Sequence, residues 1–294
     1  MPTLRRLLAA TDFSVFGGYA VNRAALIAKE SGANLDLMHV ATLAPLERLR
    51  LGVVRTHADL EQRVLDVAKD ELRQTGAEVL ERHGISSSVQ VASGSLFQEL
   101  TGYADALPAN LVVLGVRGTT PVRRLLLGST AERLMGKVRC PVLVVKQLPQ
   151  EKYRSVLVAV DFSAASLPAL LAARTIAPDA EISLLHVFEV PFEGKLRFAG
   201  GDEDEIRYYR LSARQDALYK LEALCAEAQI PSQDVRLLVI HGSPLSNILV
   251  QERMQGSDLI VMGKHGENML EELMLGSITR HVMAESHCDV LISV

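Results

Sequence analysis

Short apolar runs alternate along this chain with longer segments in which apolar residues recur at helical spacing. In the first part of the chain, the short runs predict strands near residues 4–10, 34–40, 87–92, 110–115 and 141–145. The segments between them predict helices near residues 17–31, 58–83, 94–106 and 128–137. In the longest helix, a predicted apolar face lies opposite a dense charged face and contains Leu60, Val64, Val67 and Leu72.

The apolar runs are continuous rather than alternating, which indicates how the strands are buried. The segments LVVLG at 111–115 and VLVAV at 156–160 contain no polar residue, as expected for parallel strands covered on both faces. Strands of this kind that alternate with helices predict an α/β fold with a doubly wound open sheet and right-handed crossovers.

Several features of the sequence recur at an offset of 147 to 149 residues. LLAATDFS returns as LVAVDFS, LDLMHV returns as ISLLHV, and LVVLGVRG returns as LIVMGKHG. The repeat predicts one domain present in two copies. We therefore expect tandem domains at 1–148 and 153–294. Each should contain a five-stranded parallel sheet with strand order 3-2-1-4-5, flanked by helices.

Composition narrows the classes of function. With 294 residues and 48% hydrophobic content, the chain can bury the cores of about two domains. A net charge of −4 does not favour the phosphate neutralisation on which general nucleic-acid binding depends, so we expect no nucleic-acid partner. The three cysteines form no CxxC or CxxH spacing, and no run approaches the roughly 20 apolar residues that span a bilayer. We expect a cytoplasmic protein with no membrane partner.

The predicted topology locates a ligand site. In open parallel sheets, ligands bind beyond the carboxyl ends of the strands, where the winding direction reverses. With strand order 3-2-1-4-5, this point lies between strands one and four. Asp12 and Gly115 follow these strands in the first copy, and Asp161 and Gly263 follow them in the second. Each aspartate could instead cap the turn that it begins, so both roles are considered.

The stretch GKHGENMLEELMLGS at 263–277 follows strand four of the second copy. Gly263 and Gly266 allow backbone N–H groups to approach an anion, and Gly276 and Ser277 open a helix whose first N–H groups lack helical partners. A phosphate chain can lie between them. An ordinary turn is the alternative for a glycine pair alone. The first copy repeats the arrangement with Gly115, Gly118, Gly128 and Ser129.

Three motifs together resemble the universal stress protein family. They are Gly-x2-Gly-x9-Gly-(Ser/Thr) after strand four, Asp-Phe-Ser after strand one and His-Val at the end of strand two, and they occur in both copies. In the ATP-binding branch of that family, the aspartate and the valine line the nucleoside pocket, and the glycines with Ser or Thr hold phosphates and ribose. Another branch lacks the glycine motif and does not bind ATP.

The resemblance implies that adenine nucleotide, as ATP or AMP with or without Mg²⁺, binds to one or both copies. Two loop residues, Arg117 and His265, are further candidates for contact with the nucleotide. The residues that the motifs implicate are Asp12, Val40, Gly115, Gly118, Gly128, Ser129, Asp161, Val187, Gly263, Gly266, Gly276 and Ser277. The resemblance also implies that the last strands pair the copies as a pseudo-dimer, and it is compatible with a homodimer of the whole chain.

The two copies differ in charge and at two positions of the family's pattern. Asp289 stands where the first copy has Pro141, which bears on the pairing of the last strand, and Asn110 stands where the second copy has Asp258. Residues 1–150 contain 18 Lys and Arg and 14 Asp and Glu, which gives a net charge of +4. The remaining residues contain 13 Lys and Arg and 21 Asp and Glu, which gives a net charge of −8. We expect tighter polyphosphate binding in the first copy, or a greater demand for Mg²⁺ in the second.

Three classes of function fit the sequence, and we favour the first. It is a nucleotide-dependent stress regulator without fast chemistry and without a catalytic residue. The second is a slow ATPase or phosphotransferase, although the chain has neither a G-x4-G-K-[ST] loop nor a kinase-like residue set. The third is a carrier of a small metabolite or lipid that would use the aromatic segment 187–201, for which an interface or a core extension is the alternative.

Histidines and cysteines near the predicted strand ends have simpler interpretations than catalysis. We interpret His39 and His186 as buried or hydrogen-bonded strand-end residues, because no Ser or Cys nucleophile motif accompanies them. For the His, Cys and Asp cluster at 281–289 we favour packing over metal binding, because Cys140, which matches Cys288, has no such neighbours. No metal site is therefore predicted.

Overall fold

The computed structural model describes residues 3–41, 57–116, 134, 137–190, 203–264 and 275–294. The chain divides into two compact units, Pro2–Lys152 and Tyr153–Val294, which we call the first half and the second half. The helix predicted at 128–137 lies outside the described residues, except at positions 134 and 137.

The described part of the first half alternates strands and helices until its last strand. In chain order, its elements are β1 (Arg6–Ala10), α1 (Val15–Ser31), β2 (Asn34–Ala41), α2 (His57–His83), β3 (Ser87–Ser93), α3 (Leu96–Ala106), β4 (Leu111–Gly115) and β5 (Val142–Val145). These bounds agree with the predicted strands within two residues at each end.

The described part of the second half repeats this order and adds a short 3-10 helix at Ser232–Asp234. Its elements are β6 (Ser155–Val160), α4 (Ser166–Ile176), β7 (Glu181–Phe188), α5 (Glu203–Glu227), β8 (Val235–His241), α6 (Pro244–Gln255), β9 (Leu259–Gly263), α7 (Ser277–Glu285) and β10 (Asp289–Ser293).

Each half forms a parallel sheet. The strand order is β3-β2-β1-β4-β5 in the first half and β8-β7-β6-β9-β10 in the second. Both orders confirm the predicted 3-2-1-4-5, with the reversal between the first and fourth strands. Leu7 and Leu8 in β1 and Val156 and Val158 in β6 are fully buried, because helices cover both faces of each sheet.

Helix α1 begins at Val15, two residues before its predicted start, because Ser14 caps it. The backbone of Ser14 is extended, and its Oγ accepts a hydrogen bond from the N–H of Gly17 at 3.1 Å. Gly32 ends the helix in the left-handed conformation, with φ of 69°. The cap places the first turn of α1 directly after β1, at the edge where a ligand site is expected.

Helix α2 buries a different face from the one that the sequence predicts. Leu72 is fully buried, but Leu60, Val64 and Val67 are 40%, 36% and 65% exposed, and the buried stripe instead contains Ala68, Leu72 and Val79. Leu60 and Val67 lie more than about a quarter turn from the centre of that stripe, and Val64 lies about a sixth of a turn from it. The predicted apolar face was therefore wrong in phase, because packing against β3 and α1 selects the buried side. Among the described residues, no helix combines the length and the apolarity needed to cross a membrane.

The residue before the fourth strand ties that strand to the first. In the first half, Oδ1 of Asn110 accepts hydrogen bonds from the N–H groups of Arg5 and Arg6, at 2.8 and 3.1 Å. In the second half, Oδ2 of Asp258 accepts the equivalent bonds from residues 154 and 155, at 2.7 and 3.0 Å. The difference between Asn and Asp leaves this link unchanged, because the link uses one acceptor oxygen.

Candidate functional site

The turn after β1 fixes the carboxylate of Asp12. Its Oδ1 accepts a hydrogen bond from the N–H of Ser14 at 3.1 Å, which is the turn-capping role considered for this residue. Phe13 adopts φ of 61°, and its N–H donates to Oγ1 of Thr11 at 3.1 Å. A left-handed conformation of a bulky residue costs on the order of 1–3 kcal/mol, so other contacts must hold this turn in place.

Two glycines let the ends of β1 and β4 approach the first turn of α1. A Cβ atom on Gly115 would lie 2.5 Å from the carbonyl oxygen of Phe16, closer than real contacts allow. A Cβ atom on Gly17 would lie 2.9 Å from Oδ1 of Asp12. Asp12 and Gly115 therefore both border the first turn of α1, as the topology predicts.

The end of β2 joins the same edge of the sheet. The N–H of Thr11 donates to the carbonyl oxygen of Met38 at 2.9 Å, and Nδ1 of His39 donates to the carbonyl oxygen of Thr11 at 2.9 Å. The interpretation of His39 as a hydrogen-bonded strand-end residue is therefore confirmed. Val40, the next residue, is 8% exposed. The structure thus brings Asp12, Val40 and Gly115 to one edge.

The second half builds the equivalent turn with different neighbours. Oδ1 of Asp161 accepts hydrogen bonds from the N–H of Ser163 at 3.0 Å and from the hydroxyl of Ser166 at 3.4 Å. Phe162 adopts φ of 65°. Nδ1 of His186 donates to the carbonyl oxygen of Val160 at 2.9 Å, which likewise confirms its predicted strand-end role. Val187 follows it in β7 and is half-buried.

The start of α7 lies against the end of β9. The N–H of Gly276 donates to the carbonyl oxygen of Lys264 at 3.1 Å, and the hydroxyl of Thr279 donates to the carbonyl oxygen of Gly263 at 3.2 Å. Gly276 is the N-cap residue of α7 and has no side chain to cap the helix, and Ser277 is exposed. The first N–H groups of α7 therefore lie beside the end of strand four, and helix N-termini are the kind of backbone end that attracts anions.

Six of the candidate residues lie outside the described part of the chain. The described candidates are Asp12, Val40 and Gly115 in the first half, and Asp161, Val187, Gly263, Gly276 and Ser277 in the second. The other six fall in the undescribed segments that follow β4 and β9 in the sequence and are Arg117, Gly118, Gly128, Ser129, His265 and Gly266.

Sequence reasoning missed a ring contact that is present in both halves. The ring of Phe13 stacks on His39 with 4.4 Å between centroids and a 26° angle, and Phe162 contacts His186 at 4.2 Å and 34°. The available signal was that Asp-Phe-Ser and His-Val recur together in both copies. In the second half, Nζ of Lys220 also lies 5.3 Å from the centroid of the Phe162 ring.

A cavity of about 290 Å³ opens beside the first turn, between α1 and α2. Thr11, Phe13 and Ser14 line one side, and Glu71 and Glu78 of α2 line the other. Phe13 therefore contacts both the ring of His39 and this cavity. Most of the aromatic segment 187–201 lies outside the described residues. Phe188, at the end of β7, meets the ring of His241 edge-on at 5.4 Å.

Two of the described cysteines are poorly suited to nucleophilic chemistry. Burial, together with the charge of Asp105, raises the pKa of the Cys140 thiol to about 12. Burial, and then the charge of Glu222, also raises the pKa of Cys225. Both thiols stay protonated at neutral pH, where only the thiolate is a good nucleophile. No group of three or more His, Cys, Asp or Glu within the described ranges is arranged to hold a metal ion.

Comparison with known proteins agrees with this geometry. Residues 3–146 and 152–293 each match the model of the Universal stress protein family. The chain therefore belongs to the universal stress protein family and contains two copies of its domain, as the motifs predict.

Similar proteins include one of the same tandem length and one that matches a single half of this chain. A universal stress protein of Mycolicibacterium smegmatis is 26% identical over 296 residues, which cover 97% of this chain and 96% of the relative. A universal stress protein of Methanocaldococcus jannaschii is 29% identical over 147 residues, which cover 50% of this chain and 85% of the relative. The crystal structure of a universal stress protein from Archaeoglobus fulgidus superposes with a TM-score of 0.71 at 20% identity, covering 98% of this chain and 97% of that chain. That structural likeness concerns the fold alone.

Proposed function

We propose that this universal stress protein binds adenine nucleotide, ATP or AMP, at the carboxyl ends of the first and fourth strands in one or both halves. Nucleotide binding would make it a regulator whose conformation or assembly depends on the ligand, rather than a fast catalyst. The proposal places the nucleoside near Asp12 and Val40, or Asp161 and Val187, and places the phosphates at the glycine loop of the same half.

The observation that carries the proposal is the position of the α7 N-terminus. Hydrogen bonds from Gly276 and Thr279 hold this end of the helix against the end of β9. The first intrahelical bond is donated by Arg280, so the N–H groups of residues 277–279 lie before it. Helix N-termini of this kind attract phosphate through unpaired N–H groups and the positive end of the helix dipole.

The first half supports the proposal by a different feature. Its strand end leaves no room for a side chain at Gly115, because a Cβ atom would overlap the backbone of Phe16. Such close backbone approach at a switch point is typical of sites where ligands contact main-chain groups. Asp12, held by Ser14, supplies the acceptor that a nucleoside amine or hydroxyl needs.

The described residues favour binding over catalysis. His39 and His186 donate their Nδ1 hydrogens to backbone carbonyls, and the thiols of Cys140 and Cys225 have raised pKa values. These arrangements position groups around a ligand without activating a nucleophile. Mg²⁺ enters the proposal as a companion of the nucleotide phosphates, with greater importance in the acidic second half.

The proposal includes a cytoplasmic location, a pseudo-dimer of the two halves and a homodimer of the chain. The cysteines Cys140, Cys225 and Cys288 are free thiols, which fits a reducing compartment. Sedimentation of the purified chain with and without ATP would measure its oligomeric state. A monomer in both conditions would contradict the homodimer.

Mass spectrometry of small molecules released from the denatured protein is the first test. Recovery of ATP or AMP supports the proposal, and a turnover assay then separates a regulator from a slow ATPase. Recovery of a lipid or an unrelated metabolite, together with no calorimetric binding of ATP or AMP, would contradict it.

A substitution at the α7 N-terminus sharpens the test. Ser277→Pro removes one N–H donor and the hydroxyl but suits the first helical position, and the extended backbone of Gly276, with φ −56° and ψ 145°, suits a residue before proline. Ser277→Ala, the matched control, removes the hydroxyl alone. We expect the proline variant to weaken ATP binding at the second site roughly tenfold, and the alanine variant to weaken it less. Calorimetry on the full chain would show whether one of two sites changes.

A further inference from the structure

The same ring-and-carbonyl arrangement surrounds Asp12 and Asp161. Each aspartate is followed by a phenylalanine at positive φ, and each phenylalanine ring lies against a histidine at the end of the neighbouring strand. The Nδ1 atom of that histidine donates to the carbonyl oxygen of the residue before the aspartate, at 2.9 Å in both halves. One histidine therefore contacts the chain immediately before and immediately after the carboxylate-bearing residue.

The hydrogen bond defines which ring nitrogen of each imidazole carries the hydrogen. A backbone carbonyl only accepts, so Nδ1 carries the hydrogen in both histidines. The bond fixes the ring plane, and the fixed ring supports a phenylalanine in a conformation that bulky residues rarely adopt. If the ring were absent, the turn could relax and the aspartate would point elsewhere.

The contact between the phenylalanine and histidine rings is the same in both halves, although the residues around the turn differ. In the first half, Gly17 lies beside the aspartate and α1 begins directly after Ser14. In the second half, Ser166 occupies the position matching Gly17, and α4 begins only there. The stacking distances nevertheless agree within 0.2 Å between the halves. A contact needed only to pack one particular turn would be expected to change with that turn.

We propose that His39 and His186 are positioning residues of the two nucleotide sites, each holding the strained phenylalanine turn that presents the neighbouring aspartate to the nucleoside. This inference rests on the proposed nucleotide-binding function. The carboxylate recognises a donor on the nucleoside, such as an amine or a hydroxyl, whereas phosphates are held by the glycine loop and the helix N-terminus. The histidines therefore govern recognition of the nucleoside and leave recognition of the phosphates unchanged.

The test compares ATP with inorganic tripolyphosphate, both with Mg²⁺, on the full chain. In the double variant His39→Ala with His186→Ala, we expect ATP to bind roughly tenfold more weakly and tripolyphosphate to bind as before. A role in overall folding would weaken both probes together. The conservative double variant His39→Asn with His186→Asn keeps an N–H near the position of Nδ1 and should recover part of the ATP affinity.

A second pair of substitutions guards against variants that fail to fold. Phe13→Gly with Phe162→Gly removes both rings, and glycine adopts positive φ without strain, so the fold should survive. We expect the same selective loss of ATP affinity, because without the ring contact a flexible glycine no longer fixes the direction of the neighbouring aspartate. Unchanged ATP affinity in both variants, or equal weakening of both probes, would overturn the inference while leaving the proposed function intact. A wild-type chain that binds neither probe would overturn the proposed function, and this inference with it.

Discussion

The turn after the first strand is built in two ways in one molecule. In the first half, the hydroxyl that stabilises the turn belongs to Thr11, the residue directly after β1, which accepts a hydrogen bond from the N–H of Phe13. Gly17 leaves room for this hydroxyl. In the second half, Val160 ends the strand and Ser166 supplies a hydroxyl from the helix. Both solutions keep the aspartate and the phenylalanine in place. From this comparison we expect the positions of Thr11 and Gly17 to be energetically coupled.

The last strand differs between the halves for a similarly local reason. β5 begins at Val142, after Pro141, whereas β10 begins one position earlier, at Asp289. The N–H of Asp289 donates to the carbonyl oxygen of Asp258 at 3.2 Å, a bond that proline cannot make. Its side chain is buried, and Oδ2 accepts from the hydroxyl of Tyr153 at 2.7 Å. Asp289 therefore extends the pairing of the last strand by one residue.

Replacing Asp289 with the proline of the first half should have the largest effect. Asp289→Pro removes the strand N–H bond and leaves the buried hydroxyl of Tyr153 without this acceptor. We expect the free energy of unfolding to fall by about 3 kcal/mol or more, measured by urea denaturation. Asp289→Asn keeps the N–H and an acceptor oxygen, and should cost about 1 kcal/mol at most. Equal losses in the two variants would contradict the account.

The paired positions in the first turn predict a coupling. Gly17→Ser places a Cβ atom 2.7 Å from Oγ1 of Thr11, so we expect a destabilisation of about 2 kcal/mol. The double variant Thr11→Ala with Gly17→Ser removes the Oγ1 atom that this Cβ would overlap, and should recover part of that loss. A double-mutant cycle on urea unfolding measures the coupling energy. Additive effects of the two substitutions would show that the pairing is accidental.

The strand order could be predicted because it depends on local patterning and general rules of chain topology. Continuous apolar runs gave the strands, and alternation with helices gave the parallel order. The phase of α2 could not be predicted in this way, because Leu60, Val64 and Val67 are as apolar as the residues that the helix buries. Only the position of the neighbouring strand and helix decides which side of α2 faces the core.

The candidate site was predictable only where sequence position fixes spatial position. Asp12 and Gly115 had to meet, since both follow strands that are neighbours at the switch point. The left-handed conformation of Phe13 could not be predicted, because bulky residues disfavour it locally. It is stabilised by His39, which is 26 residues further along the chain and becomes a neighbour only when β2 pairs with β1.

Asp36 offers a smaller comparison, this time within the sheets. It pairs with Leu8 of β1 and is 4% exposed, whereas the equivalent position of β7 is Ser183. Burial raises the pKa of Asp36, and the nearby Arg6, whose Nε lies 3.4 Å from Oδ2, offsets only part of that rise. A hydrogen bond with Ser88 also lowers the pKa of Asp36 in part. The carboxylate is therefore held in a position where its charged form is disfavoured.

The effect of Asp36→Ser should depend on pH. Because the folded-state pKa is above the unfolded value, the native chain binds more protons, and the contribution of Asp36 to stability falls as pH rises through the folded pKa. At pH 7 we expect the variant to be about as stable as the wild type, or up to about 1 kcal/mol more stable. In acid, below the pKa of Asp36 in the unfolded chain, the wild type should be more stable than the variant. Urea unfolding from pH 3 to 8 measures this, and an advantage of the wild type that grows towards pH 8 would contradict it.

The charge difference between the halves predicts the smallest effect. Residues 1–150 carry +4 and the remainder −8, and the sequence segment after β4 contains Arg117, Arg123 and Arg124. A chain that retains only the first site, made by Gly276→Val, should bind ATP a few-fold more tightly at low salt than one that retains only the second, made by Gly128→Val. This difference in ATP affinity should decrease with added NaCl, which screens exposed charge, and with Mg²⁺, which neutralises phosphate charge. Isothermal calorimetry on both variants measures the two ATP affinities. Equal affinities at low salt would show that local geometry, rather than charge, determines how tightly each site binds ATP.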